Sequence, residues 1–114
     1  FYLKALLFAA EERELEAVNF LTQAIKLDNQ NFDAHYLRCG IYEDIGNIEK
    51  ALESYLAFIK VLPESNNKGT LYRSVARIYS LQKKSILACQ FYKLAKESGE
   101  NIPASVLKLN SCRP

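Results

Sequence analysis

Few residues in this chain could do chemistry. His35 is the only histidine among 114 residues, and the cysteines, Cys39, Cys89 and Cys112, are odd in number and far apart. There is no CxxC pair. One histidine with scattered cysteines does not make a zinc ligand set. That usage fits a reducing compartment, cytoplasmic or nuclear, and not a disulfide framework. Cys39 and Cys89 are expected on inner helix faces, Cys39 buried and inert. The run Glu11, Glu12, Glu14, Glu16 could suggest paired carboxylates, but it lies at a turn beside Arg13 and reads as a solvated surface. No glycine-rich phosphate loop and no GxSxG elbow occurs. The expectation is a chain without catalytic residues, metal or cofactor, and not an enzyme.

The remaining resource is charge. Residues 1–65 hold six basic and eleven acidic side chains, and residues 66–114 hold nine and two. The net charge of +2 therefore hides an acidic half and a basic half. The basic half suits an acidic surface; the alternative is two sets of solvated helix faces.

These side chains need a scaffold. Composition is that of one ordinary globular domain, 49% hydrophobic and 25% charged. Four glycines and three prolines are too few for the turns of a β-sandwich. No apolar run reaches the ~18 residues of a membrane span, so a soluble chain without a membrane partner is expected. The chain opens on Phe1 and holds no Met, and is expected to be a segment of a longer protein with no targeting peptide in view.

A repeat runs along it. Ala17, Ala51 and Ala88 are spaced 34 and 37 apart. Each is followed by a large residue (Leu21, Tyr55, Tyr92) and then by Ala24, Phe58 or Ala95. Each is preceded by an aromatic (Phe8, Tyr42, Tyr79), a small residue (Ala5, Cys39, Ala76) and a ring (Phe1, His35, Tyr72). Spacings of i, i+4, i+7 within each set put three residues on one helix face. Each unit is thus a helical hairpin, turning at Glu12-Arg13, Gly46-Asn47 or Lys83-Lys84. Asp28–Asn31, the stretch 63–69 and Ser98-Gly99 separate the units. Pro103 suits the first turn of one more helix, with Ile102, Val106 and Leu107 as its apolar contacts. A hairpin cannot bury its apolar face alone, whereas stacked neighbours can, as a solenoid.

The pattern resembles the tetratricopeptide repeat family, a 34-residue hairpin with W-x2-L-G-x2-Y, then A-x3-F, then P. The second unit matches it with His35, Arg38-Cys39, Tyr42, Gly46, Ala51, Tyr55, Phe58 and Pro63. The third matches with Tyr72, Val75-Ala76, Tyr79, Ala88, Tyr92 and Ala95. The first matches with Phe1, Lys4-Ala5, Phe8, Ala17, Leu21 and Ala24. The signature Trp is absent, and the closing Pro is Asn29 in the first unit and Glu100 in the third. The resemblance implies an all-α fold, a right-handed α-solenoid of helix-turn-helix hairpins in one domain, 1–114. Repeats fall at about 1–31, 32–65 and 69–102, with a partial helix near 103–110.

The resemblance also implies a function: a protein-interaction scaffold that holds a peptide or partner helix in a concave groove lined by the first helix of each hairpin. Matching columns place Tyr2, Leu6 and Ala9, then Asp33, Tyr36, Gly40 and Glu43, then Thr70, Arg73, Arg77 and Ser80 in that groove. A lining aromatic at one end and basic at the other suits a peptide with an apolar anchor and an acidic residue. The alternative is that Arg73 and Arg77 pair with Glu43 or Asp44 of the preceding hairpin. Co-chaperones of the family clamp chaperone C-terminal tails with Lys, Asn, Asn, Lys and Arg. The matching positions here are Tyr2, Leu6, Leu37, Thr70 and Ser74, so such a tail is not the expected partner. Two other readings stay open: nucleic-acid binding through Lys83, Lys84, Lys93, Lys96 and Lys108, and self-association through the repeat ends.

Overall fold

The computed structural model describes the backbone of residues 1–10 and 13–112, and the side chains of all of these except 8–10. Among the described residues the chain is all-helical. Its helices are α1 (Tyr2–Ala10), α2 (Glu14–Leu27), α3 (Phe32–Asp44), α4 (Ile48–Val61), α5 (Gly69–Leu81), α6 (Ser85–Glu97) and α7 (Ala104–Leu109). None is long and apolar enough to cross a membrane. The chain divides into two compact units, Phe1–Leu62 with α1 to α4 and Pro63–Pro114 with α5 to α7. The division falls just after α4, where Pro63 opens the long connection to Gly69. In the first unit α1 packs on α2, α2 on α3 and α3 on α4; in the second, α5 packs on α6.

The small-residue columns are buried between the helices' apolar faces, with Ala5, Ala17, Ala76 and Ala88 in the packed clusters. Ala5, Ala17, Ala51, Ala76 and Ala88 are 0% exposed and Cys39 is 1% exposed. A side chain of one carbon, or one carbon and a sulfur, lets paired backbones approach closely. The large column fills the space beside them: Leu21, Tyr55 and Tyr92 are all buried, as are Ala24, Phe58 and Ala95. In the ring column His35 stacks on Phe58 at 5.1 Å, and Tyr72 tilts against Phe91 at 6.1 Å. Phe1 stacks on Phe20 at 6.1 Å yet stays half exposed. Phe8, Ala9 and the acids Glu11 and Glu12 lie outside the described side chains.

The turns explain the helix ends. Asn31 begins α3 by accepting from the Ala34 N–H at 3.2 Å, and Asn47 begins α4 by accepting from the Lys50 N–H at 3.2 Å. Helix α3 ends with Gly46 in the left-handed region, φ +79°. There the Asn47 N–H reaches Tyr42 O at 2.9 Å and the Gly46 N–H reaches Glu43 O at 2.9 Å, which satisfies two terminal carbonyls. Helix α6 closes the same way at Gly99, φ +98°, with the Glu100 N–H on Ala95 O. Helix α5 uses this turn too, but with Lys83 at φ +60°, a conformation that a side chain disfavours.

Helix α5 starts against the end of α6. A Cβ on Gly69 would lie 2.9 Å from Glu100 Cγ and 3.0 Å from Ser98 Cβ, so only glycine fits there. Asn67 secures the approach. Its carbonyl oxygen accepts from the Gly69 N–H at 2.8 Å and its amide donates to Ser98 O at 3.0 Å. After Pro103, the short helix α7 brings Val106 and Leu107 onto the cluster of Ala76, Ala88, Tyr92, Ala95 and Ile102.

Candidate functional site

Two residues able to do chemistry are structural. His35 is 2% exposed, and its Nε2–H donates to Asn29 O at 3.1 Å. Burial holds its pKa below the usual histidine value, so the ring is neutral at pH 7. It is a packing residue in its column. Cys39 is buried as expected, and burial pushes its thiol pKa up to about 12, which keeps it protonated and unreactive.

The other cysteines correct the sequence reading. Cys89 and Cys112, 23 residues apart, form a disulfide with Cα atoms 5.5 Å apart. Cys89 is half-buried on α6, and it is bonded and not a thiol. The pairing depends on the chain returning past Pro103 through α7, which no short cysteine spacing announces. An odd cysteine count is compatible with one pair and one buried thiol, and that was the available signal.

The residues expected to line a groove fall into both units. In the first, Tyr2 packs partly buried on the core, while Leu6 and Asp33 are exposed. Tyr36 is 56% exposed and stands edge-on to Phe58 at 5.9 Å. One turn later, Gly40 has no neighbouring atom within 4 Å of a built Cβ, so the helix surface beside Tyr36 is open. Glu43 accepts a hydrogen bond from the Tyr55 hydroxyl across the α3–α4 hairpin.

In the second unit Thr70 is exposed and Ser80 is half-buried, while Arg73 and Arg77 lie one turn apart on α5. They open onto a cleft of about 410 Å³. Arg73, Ser74 and Arg77 form one side of it and Tyr92 of α6 lines it as well. Asn101, Ile102, Pro103 and Val106 close it from the C-terminal segment. Arg73 reaches Glu100 at 3.5 Å, a neighbour in its own unit. A long, half-exposed ion pair of this kind contributes under ~1 kcal/mol and can be exchanged for another anion.

Tyr92 completes the cleft. Burial raises its pKa, and the opposing fields of Arg77 and Arg73 reach it. The phenol stays protonated at neutral pH and can donate a hydrogen bond. The cleft is thus lined by two guanidinium groups, a hydroxyl and an apolar wall of Ile102, Pro103 and Val106. That set suits a carboxylate next to a small apolar group. Sequence reasoning found the arginines but not Tyr92, Asn101, Ile102 or Pro103 as lining. In the sequence Tyr92 stands in a packing column, and the other three enter the site through the return of the segment after Gly99.

Comparison with known proteins adds no relative: no protein-family model matches the chain, and no curated protein matches it.

Proposed function

We propose that this chain is a non-catalytic protein-interaction module, built of tetratricopeptide-like hairpins stacked as an α-solenoid, that binds an acidic partner segment. The observation that supports this best is the cleft, with Arg73 and Arg77 side by side over Tyr92 and an apolar wall. Buried repeat columns support the hairpin reading, because every small-residue position is buried. The guanidinium forks would take one or two carboxylates, and the wall would take a neighbouring aliphatic side chain. The positive charge of residues 66–114 would draw such a segment in, most strongly at low salt.

The test is fluorescence anisotropy with a labelled peptide that alternates Asp or Glu with Leu, against a scrambled-charge Lys/Leu control. The Arg73→Glu/Arg77→Glu variant is expected to lose affinity on the order of 100-fold while keeping its helical circular dichroism. Equal binding by the variant and the parent would overturn the assignment of the cleft. Binding of the Lys/Leu control in preference would overturn the acidic partner.

A further inference from the structure

The segment after Gly99 supplies one wall of the cleft, and its noncovalent hold on the unit is slight. Helix α7 has six residues, none of them buried, and no side-chain cap at its start. A helix that short does not persist alone in water. Ile102 is buried, and Val106 and Leu107 are half-buried against the Tyr92 cluster. Asn110 is buried; its amide donates to Val106 O inside the same segment, and its carbonyl lies 3.6 Å from Cys89 Sγ, beside the disulfide itself. Arg73–Glu100 is a loose ion pair. The strong link is covalent: Cys112, just past α7, is bonded to Cys89 of α6.

That bond is reachable. Both sulfur-bearing residues are only half-buried, and they line a surface cavity of about 400 Å³ together with Lys93, Lys96 and Leu107. Two ammonium groups beside a disulfide favour the thiolates that form when it is cleaved. Cys39, by contrast, is buried in the other unit and takes no part.

We propose that Cys89–Cys112 is a redox latch on the Arg73–Arg77 cleft: oxidised, it holds the 101–106 wall in place; reduced, it releases that wall and dismantles the site. The reductant is a dithiol. One of its thiolates attacks a sulfur of the pair, forming a mixed disulfide and expelling the other cysteine as a thiolate. Its second thiol then displaces the mixed disulfide. Two electrons and two protons pass to the protein, leaving Cys89 and Cys112 as thiols, and the reductant leaves as its own disulfide. This rests on the reading of the cleft as a carboxylate site.

The test is hydrogen exchange read by mass spectrometry on the whole chain, with and without dithiothreitol, alongside anisotropy with the Asp/Leu peptide. Reduction, checked by the intact mass, is expected to speed exchange across 104–109 by at least about tenfold, leave α5 unchanged, and weaken peptide binding by a similar factor. Cys112→Ser without reductant should behave as the reduced chain does. Unchanged exchange across 104–109 after reduction, or an air-handled protein with three titratable thiols, would overturn the latch. Faster exchange with no peptide binding in either state would leave the latch standing and overturn the carboxylate reading. Equal binding in both states with unchanged exchange would leave the cleft standing and overturn the latch.

Discussion

The hairpin α3–α4 finishes its ends with Asn31, Gly46 and Asn47, whereas α5–α6 carries Lys68, Lys83 and Lys84 at the same three places. The buried columns of the two are alike, down to fully buried small residues at each helix contact. The sharpest difference lies at the ends. Asparagine at an N-cap accepts a backbone N–H, and glycine takes a left-handed turn without strain. Lysine does neither, and Lys84 sets a positive charge at the start of α6, against the helix dipole. At Lys83 and Lys84 the second unit therefore gives up local stability where it gains positive charge, while the buried Lys68 ammonium is paired with Glu64 at 3.1 Å. The unit recovers some through Asn67, which caps α5 from one residue earlier, through the buried Leu71, Val75 and Ile78, and through the disulfide. The difference separates two demands on one hairpin: columns that make it fold, and ends that set its field.

The largest expected effects lie in what the hairpins share. Leu21→Ala and Ile78→Ala each empty a fully buried position, one in each unit. Each should lose about 2–5 kcal/mol in urea denaturation. A loss below about 1 kcal/mol at either site would break the claim that the columns carry the fold. Next come the two helix glycines. Gly69→Ala forces a Cβ into Ser98 and Glu100 and should cost about 1–3 kcal/mol, while Gly40→Ala faces open space and should gain about 0.5–1 kcal/mol. Opposite signs are required.

Exchanging the ends sharpens the comparison further. Lys83→Gly should stabilise by about 0.5–1 kcal/mol and Gly46→Lys should destabilise by about 1–2 kcal/mol, read by thermal unfolding. The smallest effect is a pH dependence of the first unit. His35 has a folded pKa below its unfolded value of 6.5, so the unfolded chain binds the proton more readily. Stability is then full above the unfolded pKa and falls as pH drops through about 6.5 toward the folded value. His35→Tyr, which copies Tyr72 of the matching column, should remove that acid-side loss. At the other extreme, Cys39 and Tyr92 hold their protons longer folded than unfolded, so stability declines as pH rises through about 9 and 10.

Much of this was legible in the sequence. Alanines at 34- and 37-residue spacing, with partners at i+4 and i+7, located both helices of each hairpin, and Gly46-Asn47 and Lys83-Lys84 located turns. Those signals are local, and a helix face is set by residues four apart. The cleft was legible only in part. Arg73 and Arg77 share a helix face and could be read together, but Ile102, Pro103 and the Cys89–Cys112 pair join them through a chain reversal after Gly99. That reversal rests on a left-handed glycine, on slight packing against the Tyr92 cluster and on the disulfide, none of which a spacing rule encodes. Lys83 at positive φ was equally hidden, because the residue type argues against the conformation it adopts.

The most direct test of the central claim is a ¹H–¹⁵N titration of the oxidised chain with the Asp/Leu peptide. Shift changes are expected to be confined to Arg73, Ser74 and Arg77, to Tyr92, and to Asn101–Val106, with the arginine side-chain N–H signals moving most. Changes centred on α1 or on Lys83, Lys84 and Lys108, with the Arg73 and Arg77 signals unmoved, would contradict it.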